Sequence, residues 1–202
     1  VVEFRRQEQG DLTDWIVRRF KAAGHTIDTE DARYLIFLCG DLMHGLIGEI
    51  EKIGAYAQGR RVTRQDIDAV AIPVIDAVVF QMTDALSRRQ TDKAFSVLTD
   101  LLRLQQAPIM ILAVLGKHFR QLYTARVALE SGKGSRWVME LWGMRSDYPA
   151  RLLMEAARKT TSEWCSQSLL MCQRLDQRMK SEKGIDSEGE LKLLLMRLAQ
   201  GK

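Results

Sequence analysis

A glycine-rich stretch, Gly132-Lys133-Gly134-Ser135, holds the residues that come nearest to phosphate chemistry. A phosphate-binding loop needs a glycine five residues before its Gly-Lys pair and a serine or threonine directly after the lysine. Val127 and Gly134 stand at those two positions. The stretch also joins two predicted helices, whereas a phosphate-binding loop leads from a strand into a helix whose N-terminus faces the phosphates. We therefore predict a linker here and no nucleotide site.

The three histidines would be metal ligands only if other ligands lay at suitable spacing. His25, His44 and His118 are scattered along the chain, and Cys39 with His44 has no second ligand pair at zinc spacing. The sequence also has no Ser-His-Asp grouping and no acidic pair at metal-binding helical spacing near a histidine. We predict no catalytic residue, no metal, no cofactor and no intrinsic enzyme activity.

The three cysteines are too few and too irregularly spaced for a disulfide framework. If Cys165 and Cys172 lie on one helix, their separation along the chain corresponds to roughly 10 Å of helical rise. That exceeds the limit of ~7 Å between the α-carbons of a disulfide. We expect reduced cysteines that fill small volumes in the core.

The elements that position these residues are all predicted to be helices. The 202 residues include three prolines and no asparagine, and 46% are hydrophobic, which is ample for a buried core. Apolar residues recur at three- and four-residue steps, and no alternating run is long enough for a strand. The predicted fold class is all-α, with helices at 11–23, 29–39, 41–58, 64–71, 74–89, 92–105, 108–131, 135–142, 149–160, 162–181 and 188–200.

A break at Pro73 divides the predicted helices into two groups. We expect a small helical domain at 1–72 and a larger helical-bundle domain at 73–202. The chain begins without a methionine, as Val-Val-Glu-Phe-Arg-Arg, and enters a charged helical pattern at once. We interpret it as a fragment whose N-terminal part lies upstream.

Capping signals mark several helix ends. Gly59 can adopt the left-handed conformation that ends a helix, and Thr63 with Asp66 forms a capping box for the next one. Val62 and Ile67 complete it as a hydrophobic staple. Asp11 and Asp28 are further predicted N-caps, and Ser187 with Glu190 is a predicted capping box for the last helix.

Two helices carry clear apolar stripes. The third helix repeats apolar residues at helical spacing, and the last helix carries a tight row of leucines, so that we expect both stripes to be buried. The stripes are Leu42, Leu46, Ile50, Ile53 and Ala57 in the third helix, and Leu191, Leu194, Leu195 and Leu198 in the last.

The charge is mildly basic, with a net charge of +4 and a sequence pI near 9.1. Small basic groups could approach a phosphate backbone, but acidic residues are interspersed almost everywhere, which favours solvated helix faces over nucleic-acid contact. The groups are Arg18-Arg19-Lys21, Arg60-Arg61-Arg64, Arg88-Arg89, Arg158-Lys159 and Arg174-Arg178-Lys180-Lys183.

The sequence gives no indication of a membrane protein. No apolar run approaches the ~18 residues needed to span a bilayer, and the first residues lack the apolar core of a signal peptide. We predict a cytoplasmic protein.

The ordered set of motifs resembles the C-terminal two thirds of the delta subunit of the bacterial DNA polymerase III clamp loader. The first part resembles the lid of that family, and the second part resembles its collar. The matching lid positions are Leu12, Trp15-Ile16, Gly24, Ile27, Glu49-Ile50-Glu51-Lys52-Ile53, Tyr56 and Thr63-Arg64-Gln65-Asp66-Ile67. The matching collar positions are Phe80, Asp84-Ala85, Lys93-Ala94, Leu98, Leu101-Leu102, Pro108, Leu112, Phe119-Arg120-Gln121-Leu122, Leu141-Trp142-Gly143-Met144, Asp176, Lys180 and Glu190.

The resemblance implies a scaffold in DNA replication. Residues 1–72 would be a helical lid domain of the AAA+ type, and residues 73–202 a collar that joins other clamp-loader subunits. The sliding clamp would be bound only through an N-terminal domain that these 202 residues do not contain. Gly48 stands where the family commonly has asparagine, and we expect a looser helix there.

The resemblance also implies individual site residues. Lys183, in the turn before the last helix, is the candidate contact with primed DNA within the assembled loader. Leu194 and Leu198 are the candidate collar interface, although a core within one chain explains the same stripe equally well. Neither assignment requires a cofactor, and delta is not expected to hydrolyse ATP.

Two alternatives remain open at this point. Another clamp-loader subunit, delta prime or gamma/tau, would share the collar. An unrelated helical DNA-binding adaptor would instead use Thr63 to Val70 in a helix-turn-helix. Arg64 would then be the one strong base-reading side chain on the recognition helix, whereas such helices usually carry several polar side chains that contact bases.

Overall fold

The computed structural model describes residues 9–201, and these residues form eleven α-helices and no strand. The predicted all-α fold class is confirmed, and each predicted helix is present. The opening residues of the predicted first domain, 1–8, lie outside the described part of the chain. The helices are α1 Gln9–Ala22, α2 Thr29–Cys39, α3 Met43–Ala57, α4 Arg64–Val70, α5 Ile75–Ser87, α6 Thr91–Arg103, α7 Pro108–Glu130, α8 Ser135–Leu141, α9 Asp147–Ala157, α10 Ser162–Ser181 and α11 Ser187–Gln200.

The chain divides into two compact units, one that ends at Ala77 and one that begins at Val78. The division falls within α5, a few residues beyond the predicted break at Pro73. No single helix in residues 9–201 is long and apolar enough to cross a bilayer. In the same residues, one pair of consecutive helices, α4 and α5, has the required length and apolar composition when the two are taken together, but the pair is sharply bent at the break between them.

The first unit packs α1 against α2 and α3, and α4 against the same two helices. The segments that lead into α2 and α4 run side by side, because the Val62 amide donates to the Thr26 carbonyl at 2.8 Å and Ile27 pairs with Val62 in an isolated bridge. Large apolar side chains fill the interior between the helices, among them Leu12, Ile16, Phe20, Leu35, Leu46, Ile53 and Ile67.

The connection between α3 and α4 has the predicted helix-ending and capping residues. Gln58 and Gly59 both have positive φ angles, 49° and 82°, and end α3. The Asp66 carboxylate accepts from the Thr63 amide at 2.9 Å and from the Thr63 hydroxyl at 2.8 Å. Val62 and Ile67 are fully buried, as expected of a hydrophobic staple.

Two predicted caps, Asp11 and Ser187, differ from the structure, and a third, Asp28, has the predicted position without a capping hydrogen bond. Asp11 lies inside α1, whose described part already begins at Gln9. Asp28 does occupy the N-cap position of α2, but its carboxylate accepts from Arg61. Ser187 is the first residue of α11, and the cap is Asp186, which accepts from the Gly189 amide at 3.0 Å. Asp28 thus pairs with a neighbouring cation, and the Asp186 carboxylate caps α11 in place of the predicted Ser187.

The stripe of α3 begins one turn later than predicted. Leu42 precedes the helix with extended backbone angles and is 61% exposed. Its predicted companions, Leu46, Ile50, Ile53 and Ala57, are buried. The stripe is therefore a core face of the first unit from Leu46 onward.

The second unit is built around α7, which packs against α8, α9, α10 and α11. The Phe119 and Trp164 rings meet edge to face with centroids 5.4 Å apart, and the Trp164 indole donates to the Leu198 carbonyl at 3.0 Å. His118 is buried with its Nδ1 2.9 Å from the Thr83 hydroxyl and its ring against Phe80. These contacts join α5, α7, α10 and α11 in one core.

Candidate interaction surfaces

The glycine-rich stretch at 132–135 forms the turn between α7 and α8, as predicted. Gly132 has a φ of 66°, and the Lys133 amide donates to the Ala128 carbonyl at 2.7 Å. The turn therefore closes the C-terminal end of α7 and leads directly into the short helix α8, of which Gly134 is the N-cap residue. It joins two helices, whereas a phosphate-binding loop leads from a strand into a helix.

No group of three or more His, Cys, Asp or Glu side chains in residues 9–201 is placed to hold a metal ion. Cys165 and Cys172 are buried on α10, where the sequence analysis expected small core residues. Burial raises the pKa of the Cys172 thiol to about 12, and that of Cys39 to about 12 as well. Thiols with such pKa values are poor nucleophiles at neutral pH.

The basic group before α4 is engaged within the first unit. Arg60 donates to both carboxylate oxygens of Asp66, one of them at 2.6 Å. Arg61 pairs with Asp28, and the guanidinium of Arg64 lies 3.9 Å from the centroid of the Tyr34 ring. All three arginines are therefore engaged by side chains of the first unit, and Arg64 is stacked on Tyr34 instead of extending toward a base.

The apolar side chains of α11 divide between core and surface. Leu194 and Leu198, the candidate collar interface, are 4% and 0% exposed in the single chain, with Leu191 and Leu195 beside them in the core. Leu193 and Met196 point outward, and each is 46% exposed. The surface that α11 offers to another protein thus consists of Leu193 and Met196, which lie between the predicted leucines.

A groove of about 500 Å³ runs between α7 and α10. Ala113 and Gly116 line it from α7, and Leu169 and Cys172 line it from α10. A Cβ atom added at Gly116 would lie 3.8 Å from the Cβ of Cys172, so the two helices approach closely. Polar side chains at the rim surround this small-residue floor, namely Arg120, Gln173, Asp176 and Lys180.

No sequence pattern predicts this groove, because its two walls come from helices far apart in the chain. The one local signal was the pair of small residues Ala113 and Gly116, three positions apart on the same face of α7. An apolar floor with a polar rim is the composition of protein–protein interfaces. The groove therefore suits the side chains of another helix.

A second, smaller cleft of about 180 Å³ lies between α10 and α11. Arg178 spans it, donating to Glu190 at 2.8 and 2.9 Å and to Glu182 at 3.0 and 3.2 Å. The hydrogen bonds from Arg178 hold the pKa of the Glu190 carboxyl below its ordinary value. This contact ties α10 to the first turn of α11, so Glu190 pairs across helices instead of closing the predicted capping box.

Lys183, the candidate DNA contact, lies in the turn between α10 and α11 and is exposed. Its neighbour Lys180 pairs with Asp176 at 2.6 Å, the i,i+4 pair expected of that spacing. Among residues 9–201, no carboxylate pairs with Lys183. The structure therefore leaves this cation at the surface.

The described part of the chain is an all-α protein with a groove of apolar floor and polar rim between two of its long helices. The sequence profile of the family described as "DNA polymerase III delta subunit, C-terminal domain" matches residues 76–198, and the chain belongs to this family. The match covers almost all of the second unit. It favours delta over the other clamp-loader subunits and over an unrelated helical adaptor.

Curated relatives carry the same family name. The chain is 25% identical over 178 residues to the "Probable DNA polymerase III subunit delta" of Aquifex aeolicus, covering 87% of this chain and 51% of that protein. It is 23% identical over 199 residues to the "DNA polymerase III subunit delta" of Bacillus subtilis, covering 98% of this chain and 57% of that protein. The chain thus spans little more than half the length of either relative.

A solved structure shares the fold. The "Bacillus subtilis DNA clamp loader delta protein (YqeN)" superposes with a TM-score of 0.76 at 23% sequence identity. The superposition covers 98% of this chain and 58% of that one. The helical arrangement described above is therefore that of a known delta protein.

Proposed function

We propose that this chain is the C-terminal scaffold of a clamp-loader delta subunit, and that it acts in DNA replication by holding loader subunits together. The family match across residues 76–198 carries the proposal, because it relates almost all of the second unit to the C-terminal domain of delta. The fold shared with a DNA clamp loader delta protein of Bacillus subtilis supports it.

In this proposal the first unit, residues 1–72, is the helical lid and residues 73–202 are the collar. The division of the chain near Ala77 and the start of the family match at residue 76 support a boundary in this region. A collar made of homologous subunits uses two different faces of each one, because the contacts are heterologous.

The α7/α10 groove and the outer face of α11 are the proposed faces. The groove presents Ala113 and Gly116, small residues that allow a neighbouring helix to approach. The α11 face presents Leu193 and Met196. Burial of two such half-exposed side chains contributes a few kcal/mol at most, so a stable collar would need both faces.

The test is co-purification of the 202-residue chain with the remaining loader subunits and, separately, with the sliding clamp. We expect association with loader subunits and none with the clamp, because the clamp-binding part of delta is proposed to lie in the half of the relatives that this chain does not match. Clamp binding, or a well-folded chain that binds no loader subunit, would contradict the scaffold function.

Two variants locate the faces. Ala113→Trp would fill the groove with a side chain from its own helix, and Leu193→Asp would place a charge on the outer face of α11. Leu141→Asp is the matched control, since Leu141 is 59% exposed on α8, away from both faces. We expect the first two variants to lose loader association with unchanged circular dichroism, and the control to keep it.

Two finer parts of the proposal concern ligands. We propose no ATPase activity and no nucleotide affinity; ATP binding that disappears in Lys133→Ala would overturn this. We also propose that Lys183 contacts a phosphate of primed DNA in the assembled loader. Lys183→Ala should then lower the salt dependence of DNA binding by about one unit of slope, and an unchanged slope would make Lys183 a solvated residue only.

A further inference from the structure

The cleft between α10 and α11 combines an aliphatic floor with arginine walls. Met171 and Leu175 of α10 and Leu194 of α11 form the floor. Arg174 lies on the α10 side and Arg197 on the α11 side, and Arg178 closes one part of the cleft. Its volume of about 180 Å³ gives room for one large aliphatic or aromatic side chain.

The charges of the three arginines are not equally compensated. Arg178 is held by the carboxylates of Glu182 and Glu190 and is fully engaged. Arg174 and Arg197 are exposed, and neither forms an ion pair with a carboxylate among residues 9–201. The cleft therefore has two guanidinium groups outside any ion pair, one on each wall above an apolar floor, and Arg197 also helps to hold the pKa of Glu190 below its ordinary value.

We propose that this cleft binds a short acidic peptide segment of a partner protein, with an apolar side chain on the floor and carboxylates on Arg174 and Arg197. Guanidinium groups bind carboxylates in a two-pronged geometry, and such charge-assisted hydrogen bonds are the strong ones. The apolar floor selects a peptide that carries a large side chain beside its acidic residues. This inference does not depend on the collar proposal, because the cleft shares no lining residue with the α7/α10 groove and is lined by neither Leu193 nor Met196.

A nucleic acid fits the cleft less well. Strand-binding clefts hold bases by stacking them on aromatic side chains, and none of the residues that line this cleft is aromatic. Glu190, which also lines the cleft, is paired with Arg178, so its charge is compensated within the chain and does not oppose an acidic ligand on the two outer arginines.

The test is fluorescence anisotropy of the 202-residue chain with the labelled peptide Glu-Asp-Glu-Leu-Leu. Two comparison peptides replace the acids by lysine or the leucines by serine. We expect binding of the first peptide only, and a loss of about tenfold in affinity for Arg174→Gln and for Arg197→Gln. Arg136→Gln is the matched control, because its side chain is 87% exposed on α8, and it should bind as the unchanged chain does.

A second measurement does not depend on the variants. Addition of the peptide should shift the methyl resonance of Met171, identified with Met171→Leu, and leave that of the distant Met139 in place. Equal binding of the serine peptide, equal binding by the arginine variants, or an unshifted Met171 would overturn the proposal. So would an oligothymidylate that binds more tightly than the peptide and depends on Arg174, because the ligand would then be a nucleic acid.

Discussion

At the scale of single residues, Asp66 joins three interactions at the start of α4. Its side chain is almost fully buried, and it accepts from Arg60, from the Thr63 amide and from the Thr63 hydroxyl. The Arg60 hydrogen bonds, followed by those from Thr63, hold the pKa of Asp66 well below its ordinary value. A carboxylate with a lowered folded-state pKa stabilises the fold most when it is ionised in both states.

The first prediction follows from that pKa. We expect Asp66→Asn to lower the free energy of unfolding by about 1–2 kcal/mol at pH 7, because it removes the capping interaction and weakens the partly exposed pair with Arg60. The stabilisation by the Asp66 carboxylate is complete above about pH 3.9, the pKa of an aspartate in the unfolded chain. It is lost as the pH falls from there toward the lower pKa of Asp66 in the folded chain. Urea unfolding at several pH values should therefore show the two proteins converging below about pH 4.

Asp14→Asn serves as the control for Asp66, since Asp14 is exposed on α1. It should change stability little at any pH. A difference between the unchanged chain and Asp66→Asn that persists undiminished at pH 2 would show that the carboxylate charge is not the cause.

The second prediction concerns two glycines of α3. Gly48 has no atom within 4 Å of an added Cβ, whereas a Cβ at Gly54 would lie 3.1 Å from the His25 ring. We expect Gly48→Ala to stabilise the chain by about 0.5–1 kcal/mol through helix propensity, and the same gain at Gly54 to be cancelled or reversed by the ring contact. Thermal unfolding of both variants measures the difference.

A double variant separates propensity from contact at Gly54. Combining His25→Ala with Gly54→Ala removes the ring, so the alanine should then give its ordinary helical gain relative to His25→Ala alone. If Gly54→Ala is as stabilising as Gly48→Ala without that change, the His25 ring moves freely and the close contact does not matter.

At the scale of elements, the leucines of α11 divide between the core and the surface. Leu194 is 4% exposed in the core, while its neighbour Leu193 is 46% exposed. The packing of α6, α7 and α10 against α11 decides which leucines are covered. A substitution at one position tests folding, and at the next it tests association.

The third prediction uses this pair of leucines. Leu194→Ala should lower the free energy of unfolding by about 2–5 kcal/mol, because it leaves a cavity in the core. Leu193→Ala should stay within about 0.5 kcal/mol of the unchanged chain, as surface substitutions usually do. Chemical denaturation tests both, and equal losses at the two positions would mean that α11 is rotated relative to the structure.

At the scale of the whole molecule, the segment between α4 and α5 is the fourth subject of prediction. Ile72 in this segment is 69% exposed, whereas Arg60 and Arg61 are tied by ion pairs to Asp66 and Asp28. We expect limited subtilisin digestion to cut within 71–76 before it cuts at 60–61, and to release a larger piece that stays helical by circular dichroism. Cutting at 131–136 should follow, at the exposed turn between α7 and α8.

The contrary outcomes of digestion are equally specific. First cleavage inside α7 would mean that the second unit is not a stable core. A larger piece that loses its helical signal would mean that residues 73–202 need the first unit to fold, against the proposed two-domain organisation.

Much of the helical framework followed from the sequence alone, because helix ends depend on local interactions. The end of α3 at Gln58 and Gly59, the capping interaction of Asp66 and the buried staple of Val62 and Ile67 all involve residues within a few positions of one another. The motifs that resemble the delta family were also readable in order along the chain. Fold class, helix positions and family were thus determined before any tertiary contact was known.

Tertiary structure decided which surfaces these helices present, since periodicity does not distinguish a core from an interface. It placed Leu194 and Leu198 in the core and left Leu193 at the surface. It also paired Glu190 of α11 with Arg178 of α10. It also brought α7 beside α10 and α10 beside α11, which created the groove and the cleft. Such sites depend on residues far apart in the chain, whose proximity is fixed by side-chain packing and is not encoded in any local pattern.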